Sequence, residues 1–104
     1  MIFMVYKENE EIIRVRIPKQ GEVFGIVTAT LGAGRLEVKC ADGFTRICRI
    51  PGKMRRRVFM RIGDLILVKP WQVQSNERAD VIWMYKKNQA DWLKEKGYLK
   101  NTGL

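Results

Sequence analysis

Seven cations stand between Gly43 and Gly63 with no acid among them: Arg46, Arg49, Lys53, Arg55, Arg56, Arg57 and Arg61. Residues 1–22 carry four bases and four acids that cancel, so most of the net charge of +9 comes from one fifth of the chain. Within "GKMRRRVFMRIGD" three successive arginines fan out by about 100° each on a helix, or alternate faces on a strand, so no single acid can pair with all of them. Unpaired like charges repel, and an anionic partner relieves that repulsion. Arginine rather than lysine points to phosphate, because the planar guanidinium forks onto it and also stacks on bases. Phe44 and Phe59 lie in the same window. Aromatic rings among cations make the stacking platform of single-stranded nucleic-acid binders, contributing about 1–3 kcal/mol per base. The bland alternatives are a solvated face for the arginine run and core packing for the two rings, and for Phe59, inside "VFM", the two readings stand even.

Other chemistries find little to work with. The chain has no histidine for proton transfer, no Gly-rich phosphate loop, and no Ser or Cys with a base at hand. Glu37, Asp42 and Asp64 fall at turns or on a wet strand face, so an enzyme reading is poor. Two cysteines without histidine fall short of the usual four zinc ligands, and no cofactor is implied. No apolar run approaches the about 20 residues of a membrane span. A membrane-surface role wants an amphipathic helix with cations opposite bulky apolar residues, whereas the one convincing helical stretch, 88–97, carries mixed charge. The opening "MIFMVY" has no basic region before it and reads as a loose tail or an extra edge strand, not a secretory signal, so the expected location is the cytoplasm.

A scaffold must hold the cations in place, and 104 residues suffice for one domain. From Glu22 short strands alternate with tight turns. "EVFGIVTATL" ends at "GAG", and "RLEVKC" alternates strictly, with Leu36, Val38 and Cys40 on one face and Arg35, Glu37 and Lys39 on the other. "ADG" turns the chain into "FTRICRI", in which Arg46 and Arg49 fall on opposite parities. A two-residue turn at Asp42-Gly43 would set residue 40 against 45 and 37 against 48, leaving Cys40 and Cys48 as free thiols. After the basic connector come "LILVKPWQV", whose Pro70 implies an edge or bend, and "VIWMYK". Five short antiparallel strands suggest a small barrel or sandwich. In "NQADWLKEKGYL", Asn88 is placed to cap a helix, Gly97 to end it and Trp92 to dock it. The expected division is an N-terminal lead-in over 1–21, a barrel over 22–86, and a C-terminal helix with a short tail over 87–104.

The combination "LGAGR", "C.DG..R.CRIPGK.RRR", "GD.ILVKPW.VQ...ADVI" and "WLK..GYL" closely resembles the archaeal and eukaryotic translation initiation factor 1A family, relatives of bacterial initiation factor 1, over residues 23–99. The resemblance implies an all-β fold with a small α addition: a five-stranded oligonucleotide-binding (OB) barrel followed by a short helix. It implies a monomeric, non-enzymatic factor that occupies the aminoacyl site of the small ribosomal subunit, touches ribosomal RNA, and promotes initiator tRNA placement and start-site selection with other initiation factors. The RNA-contacting positions it implies are Arg46, Arg49, Lys53, Arg55, Arg56, Arg57 and Phe59, with Lys39 and Arg35 as weaker candidates. The competing reading on the same barrel is a general single-stranded RNA-binding protein or RNA chaperone, and a small ribosomal or scaffold protein is a third.

Overall fold

The computed structural model describes residues 2–8, 11–55, 59–100 and 102–104. Five strands close a barrel in the order β3 (Val23–Gly32), β4 (Arg35–Cys40), β5 (Thr45–Arg49), β7 (Arg78–Met84) and β6 (Leu65–Pro70). Four neighbouring pairs are antiparallel, while β5 and β7 run parallel. The expectation of five antiparallel strands is corrected by parity: directions cannot alternate around a closed ring with an odd number of members. A five-strand barrel therefore needs a like-directed pair.

The barrel interior is filled by Val27, Leu36, Val38, Cys40, Cys48, Ile66, Val68, Ala79 and Val81. Strand β3 pairs with both β4 and β6 near Gly25, where a Cβ would collide with Val38 Cγ1, so the missing side chain lets the strands approach. Strand β6 is buried on both faces. Ile66 and Val68 point into the barrel, and Leu65 and Leu67 into a second cluster outside it, which explains the unbroken "LILV" run.

The β4–β5 hairpin differs by one register step from the two-residue turn expected. Its loop is Ala41-Asp42-Gly43, bracketed by Cys40 N–H to Phe44 O at 2.9 Å and Gly43 N–H to Cys40 O at 3.1 Å. A two-residue type I′ turn requires positive φ at both central residues, but here Gly43 has it (φ 92°) and Asp42 does not. Asp42 instead accepts the Phe44 N–H at 3.3 Å. The slip sets Leu36 against Cys48 and Val38 against Arg46, turning residues 46 and 48 inward. Both cysteines are free and fully buried. Burial pushes both thiols up, Cys48 to about 12, so they pack as neutral groups.

The N-terminal stretch, expected as a lead-in whose opening is a loose tail or an extra edge strand, is a two-stranded hairpin of β1 (Ile2–Glu8) and β2 (Glu11–Ile17), paired from Ile2↔Ile17 to Glu8↔Glu11. Both segments are apolar and β-branched enough to pair, and β2 has a place to bury itself. Val15 joins Phe24, Leu65, Leu67, Tyr85, Leu93 and Leu99 in the second cluster. Arg16 ties the hairpin to the barrel: its guanidinium lies 3.4 Å from Glu22, donates to Ile82 O at 3.3 Å and sits 5.4 Å from the Trp83 ring centroid. Its carbonyl accepts the Tyr85 hydroxyl at 2.5 Å.

Helix α2 (Lys87–Glu95) closes that cluster. Asn88, expected as the cap, lies inside the first turn and accepts the Gln89 N–H at 2.9 Å. Gln89 instead accepts the Lys86 N–H at 2.8 Å and donates to Arg14 O at 2.9 Å, fixing both the helix start and its seat on β2. At the other end Tyr98 N–H reaches Leu93 O and Gly97 N–H reaches Lys94 O, a Schellman closure. Leu93 is fully buried in that cluster, and Trp92, expected to dock the helix, is half-buried, packs against the same cluster and stacks on Tyr98 with centroids 5.7 Å apart. No helix among the described residues is long and apolar enough to cross a membrane. Leu93→Ala is expected to cost about 2–5 kcal/mol in denaturant unfolding through the cavity it leaves. A loss under about 0.5 kcal/mol, typical of surface changes, would mean that the helix is not anchored there.

Candidate nucleic-acid interface

The outward faces of β4, β5 and β7 form one surface whose rows follow from register. Arg35 lies opposite Arg49, which lies beside Asp80; Glu37 lies opposite Ile47, beside Arg78; Lys39 lies opposite Thr45. Two arginines directly across a strand pair are destabilising unless something neutralises them. Asp80 does so on one side, with Arg49 Nε 3.2 Å from Oδ1 and Nη2 3.4 Å from Oδ2. Arg35 is exposed and makes no ion pair among the described residues.

The connector adds to this end of the barrel through a short helix, where the sequence alone admits a helical turn or a strand. Helix α1 (Gly52–Arg55) starts where Pro51 O accepts the Met54 and Arg55 N–H groups. Ile50 N–H bonds to Gly34 O at 2.7 Å, bringing the helix beside the β3–β4 turn. The Arg55 side chain lies flat on Gly34, where an added Cβ would sit 2.7 Å from Nη1 and 2.8 Å from Cδ. With φ of 71°, Gly34 is also in the left-handed region that glycine favours. Arg55 is thereby held next to Arg35, with Lys53 exposed in the same turn. Arg35, Arg49, Lys53 and Arg55 thus gather at one end of the surface.

The remaining expected residues are placed differently. Arg46 is 2% exposed and points into the barrel end, so it is not a surface contact. Its Nη1 and Nη2 reach the two oxygens of Asp42 at 2.8 and 2.7 Å, and its Nε donates to Ser75 O at 2.6 Å. Its guanidinium also lies 5.3 Å from the Phe44 ring centroid. A buried guanidinium is tolerated because each of these groups is satisfied, and the pair pins the β4–β5 turn to the loop at Ser75. The hydrogen bonds from Arg46 hold the Asp42 carboxyl below the usual aspartate range, and Asp42 raises Arg46 in turn.

Lys39 stands toward the far end of β4 and donates to Gly103 O at 3.3 Å, apart from the arginine cluster. Phe59 is 85% exposed and Phe44 partly so, which removes core packing as the explanation for Phe59. Arg56 and Arg57 lie outside the described residues. Two participants escaped the sequence reading. Asp80 reaches Arg49 across 31 positions through the parallel pairing, and Trp71 donates its indole N–H to Asp80 Oδ1 at 3.0 Å. The run "KPW" marks a strand end but not its neighbour. Among the described residues no group of three or more metal-ligating side chains gathers.

The chain matches known proteins over most of its length. Residues 9–103 match the family described as translation initiation factor 1A / IF-1. The chain belongs to that family. It is 50% identical over 93 residues to translation initiation factor 1A of Methanothermobacter thermautotrophicus, covering 89% of this chain and 94% of that protein. It is 55% identical over 92 residues to the factor of the same name from Methanopyrus kandleri, covering 88% and 82%. The solved structure of translation initiation factor 1 from the Wolbachia endosymbiont of Brugia malayi superposes with a TM-score of 0.50 at 32% identity, covering 66% of this chain and 82% of that one. The barrel is the OB fold of these initiation factors, and a role in translation initiation follows for the chain.

The Asp42–Arg46 pair yields a pH prediction. A carboxyl whose folded pKa is depressed contributes stability that is complete above its unfolded value, 3.8, and is lost as pH falls through the folded one. Asp42→Asn in this initiation-factor barrel is expected to lower the melting temperature at neutral pH and to flatten the fall in stability below about pH 4. Equal acid slopes for wild type and variant would remove Asp42 from the account.

Proposed function

We propose that the chain acts in translation initiation by binding the aminoacyl site of the small ribosomal subunit through ribosomal RNA contacts. There it promotes initiator tRNA placement and start-site selection together with other initiation factors. The observation that carries this reading is the gathering of Arg35, Arg49, Lys53 and Arg55 on one exposed end of the barrel, where Asp80 pairs with Arg49 alone. Such a surface carries a field suited to phosphate, and guanidinium groups fork onto it. Arg56 and Arg57, next in sequence to Arg55, add to the same charge. The chemistry asked of it is occupancy and positioning, which the family membership supports and which needs no catalytic group.

A rigid barrel face presenting cations in fixed rows recognises a fixed arrangement of phosphates, and that is what separates a subunit site from RNA in general. The test is equilibrium binding to purified small ribosomal subunits and to length-matched unstructured RNA, each over a salt series. A saturable site of nanomolar scale on the subunit, with weak and steeply salt-dependent binding to free RNA, is expected. Similar affinity for both would instead assign a general single-stranded RNA binder. Arg35→Glu combined with Arg55→Glu is expected to weaken subunit binding by on the order of 100-fold and to reduce the salt slope by about two, since each reversal removes a phosphate contact. Wild-type subunit affinity in that variant would refute the assignment of this surface.

A further inference from the structure

Strand β1 is the part of this chain for which its family does not account. The match to the initiation-factor family begins at residue 9, after β1 has ended, yet the strand is firmly seated. All of its residues pair with β2 without a bulge, and the Phe3 ring meets Trp83 edge to face with centroids 6.1 Å apart. Among the described residues β1 pairs with β2 alone, so its other edge is open. Proteins blunt open edges with charge, proline or a bulge, and residues 2–6, "IFMVY", supply none of these. Near the middle of the strand Met4 and Val5, whose side chains leave opposite faces, are 40% and 58% exposed.

The hairpin register states which backbone groups that edge presents. Glu8 and Glu11 flank a two-residue connection, and such a connection closes on a hydrogen-bonded pair. Hydrogen-bonded and non-hydrogen-bonded pairs alternate along an antiparallel ladder, so residues 8, 6, 4 and 2 direct their N–H and C=O groups at β2. Phe3, Val5 and Lys7 turn theirs outward. An identical strand laid antiparallel on this edge presents the same three residues. A two-fold axis at Val5 is the one register that matches all of them: Phe3 to Lys7 of the second copy, Val5 to its own counterpart, and Lys7 to Phe3 of the second copy. The strands then overlap from Ile2 to Glu8 and form about six hydrogen bonds, two at each matched pair.

We propose that the free edge of β1 is a self-association surface, on which two copies of this chain join their hairpins into one four-stranded sheet about a two-fold axis at Val5. Charge selects this occupant. The chain carries +9, so a second copy is repelled from most of its surface, but residues 1–22 hold four bases and four acids that cancel. The hairpin packs over the second apolar cluster, away from Arg35, Arg49 and Arg55, so pairing keeps the two basic faces apart and leaves each open to an anionic partner. Met4 and Val5 lie at the centre of the contact, where they gain most from exclusion of water. One strand pair is smaller than the about 1,200–2,000 Å² of a stable interface, so the association is of micromolar scale. This surface goes beyond the ribosomal reading and does not depend on it.

Sedimentation equilibrium of the full chain, free of RNA, over roughly 5–500 µM is expected to show the mass rising from one copy to two with no larger species, because a two-fold contact uses both edges. Val5→Pro removes an outward N–H while every hydrogen bond to β2 survives, so it is expected to weaken dimerisation by about tenfold or more at an unchanged melting temperature. Val5→Lys keeps the N–H but sets two like charges across the axis, and the same loss is expected. Amide exchange reads the register: protection at Phe3, Val5 and Lys7 grows with protein concentration, while protection at Met4 and Tyr6 stays constant. A mass of one copy up to roughly 500 µM overturns the proposal, since even a small strand-edge contact associates in that range. Dimerisation that Val5→Pro and Val5→Lys leave at wild-type strength overturns it as well. Protection of Phe3, Val5 and Lys7 that appears only on adding purified small ribosomal subunits to a monomeric chain assigns the edge to another protein, and that too refutes self-pairing. The mass measurements involve no RNA, so their failure leaves the ribosomal reading standing.

Discussion

The parallel pairing of β5 with β7 is the constraint on which the rest of this structure depends. An odd-membered closed barrel cannot alternate directions throughout, so two strands that point the same way must become neighbours. They are β5 and β7, with Ile47, Cys48 and Arg49 set against Arg78, Ala79 and Asp80. The consequences run outward from that contact. It carries the loop around Ser75 to the barrel end, where Arg46 finds its carbonyl acceptor. It places Asp80 beside Arg49, and through Asp80 it orients Trp71.

Within β5 the same residue type does opposite jobs three positions apart. Arg46 faces inward and must satisfy its donors there, which it does with Asp42 and Ser75. Arg49 faces outward and keeps most of its side chain in solvent. The period of two decides which is structural and which is available, and the hairpin register decides the phase. Gly43, by taking the left-handed conformation alone, sets a three-residue loop and so fixes that phase. A small conformational preference at one turn residue thus determines which arginines can meet a partner.

The sequence was legible where a local rule governs and opaque where distant segments meet. The alternation of "RLEVKC" showed which side chains enter the barrel, while strand spacing and turn residues left a barrel and a sandwich both open and the family resemblance pointed to the barrel. The opposite parities of Arg46 and Arg49 were visible in the sequence, but which of the two faces inward was not, because the hairpin register that sets the phase differs by one step from a two-residue turn. The hairpin over 2–17 was half legible: a strand was one of two readings of its opening, but its seat on the barrel comes from Val15 and Arg16 reaching groups near residue 83. Trp92 packs against the cluster as its size suggests, but the smaller Leu93 is the helix residue buried completely, and its burial depends on partners in β2, β6 and β7. Trp71 and Asp80 gain their meaning only when Arg49 arrives between them, and nothing within "KPWQV" announces that.

The two cores explain how the basic face can be both exposed and rigid. Exposed cations on thin sheets are free to splay, and repulsion between Arg35 and Arg49 would favour that. Here β6 is buried on both faces, inward by Ile66 and Val68 and outward by Leu65 and Leu67, so the flank away from the arginines is held by a second apolar layer beneath the hairpin and α2. Most of the hydrophobic stabilisation therefore lies where no partner needs access, and the outward surface of β4 and β5 is free to carry charge. Close packing transmits that rigidity through the barrel wall, so the backbone positions from which Arg35 and Arg49 project are fixed, and Asp80 orients the Arg49 side chain. A surface preorganised in this way loses little conformational freedom when an anion arrives, which is the condition for recognising an arrangement of phosphates rather than their mere presence.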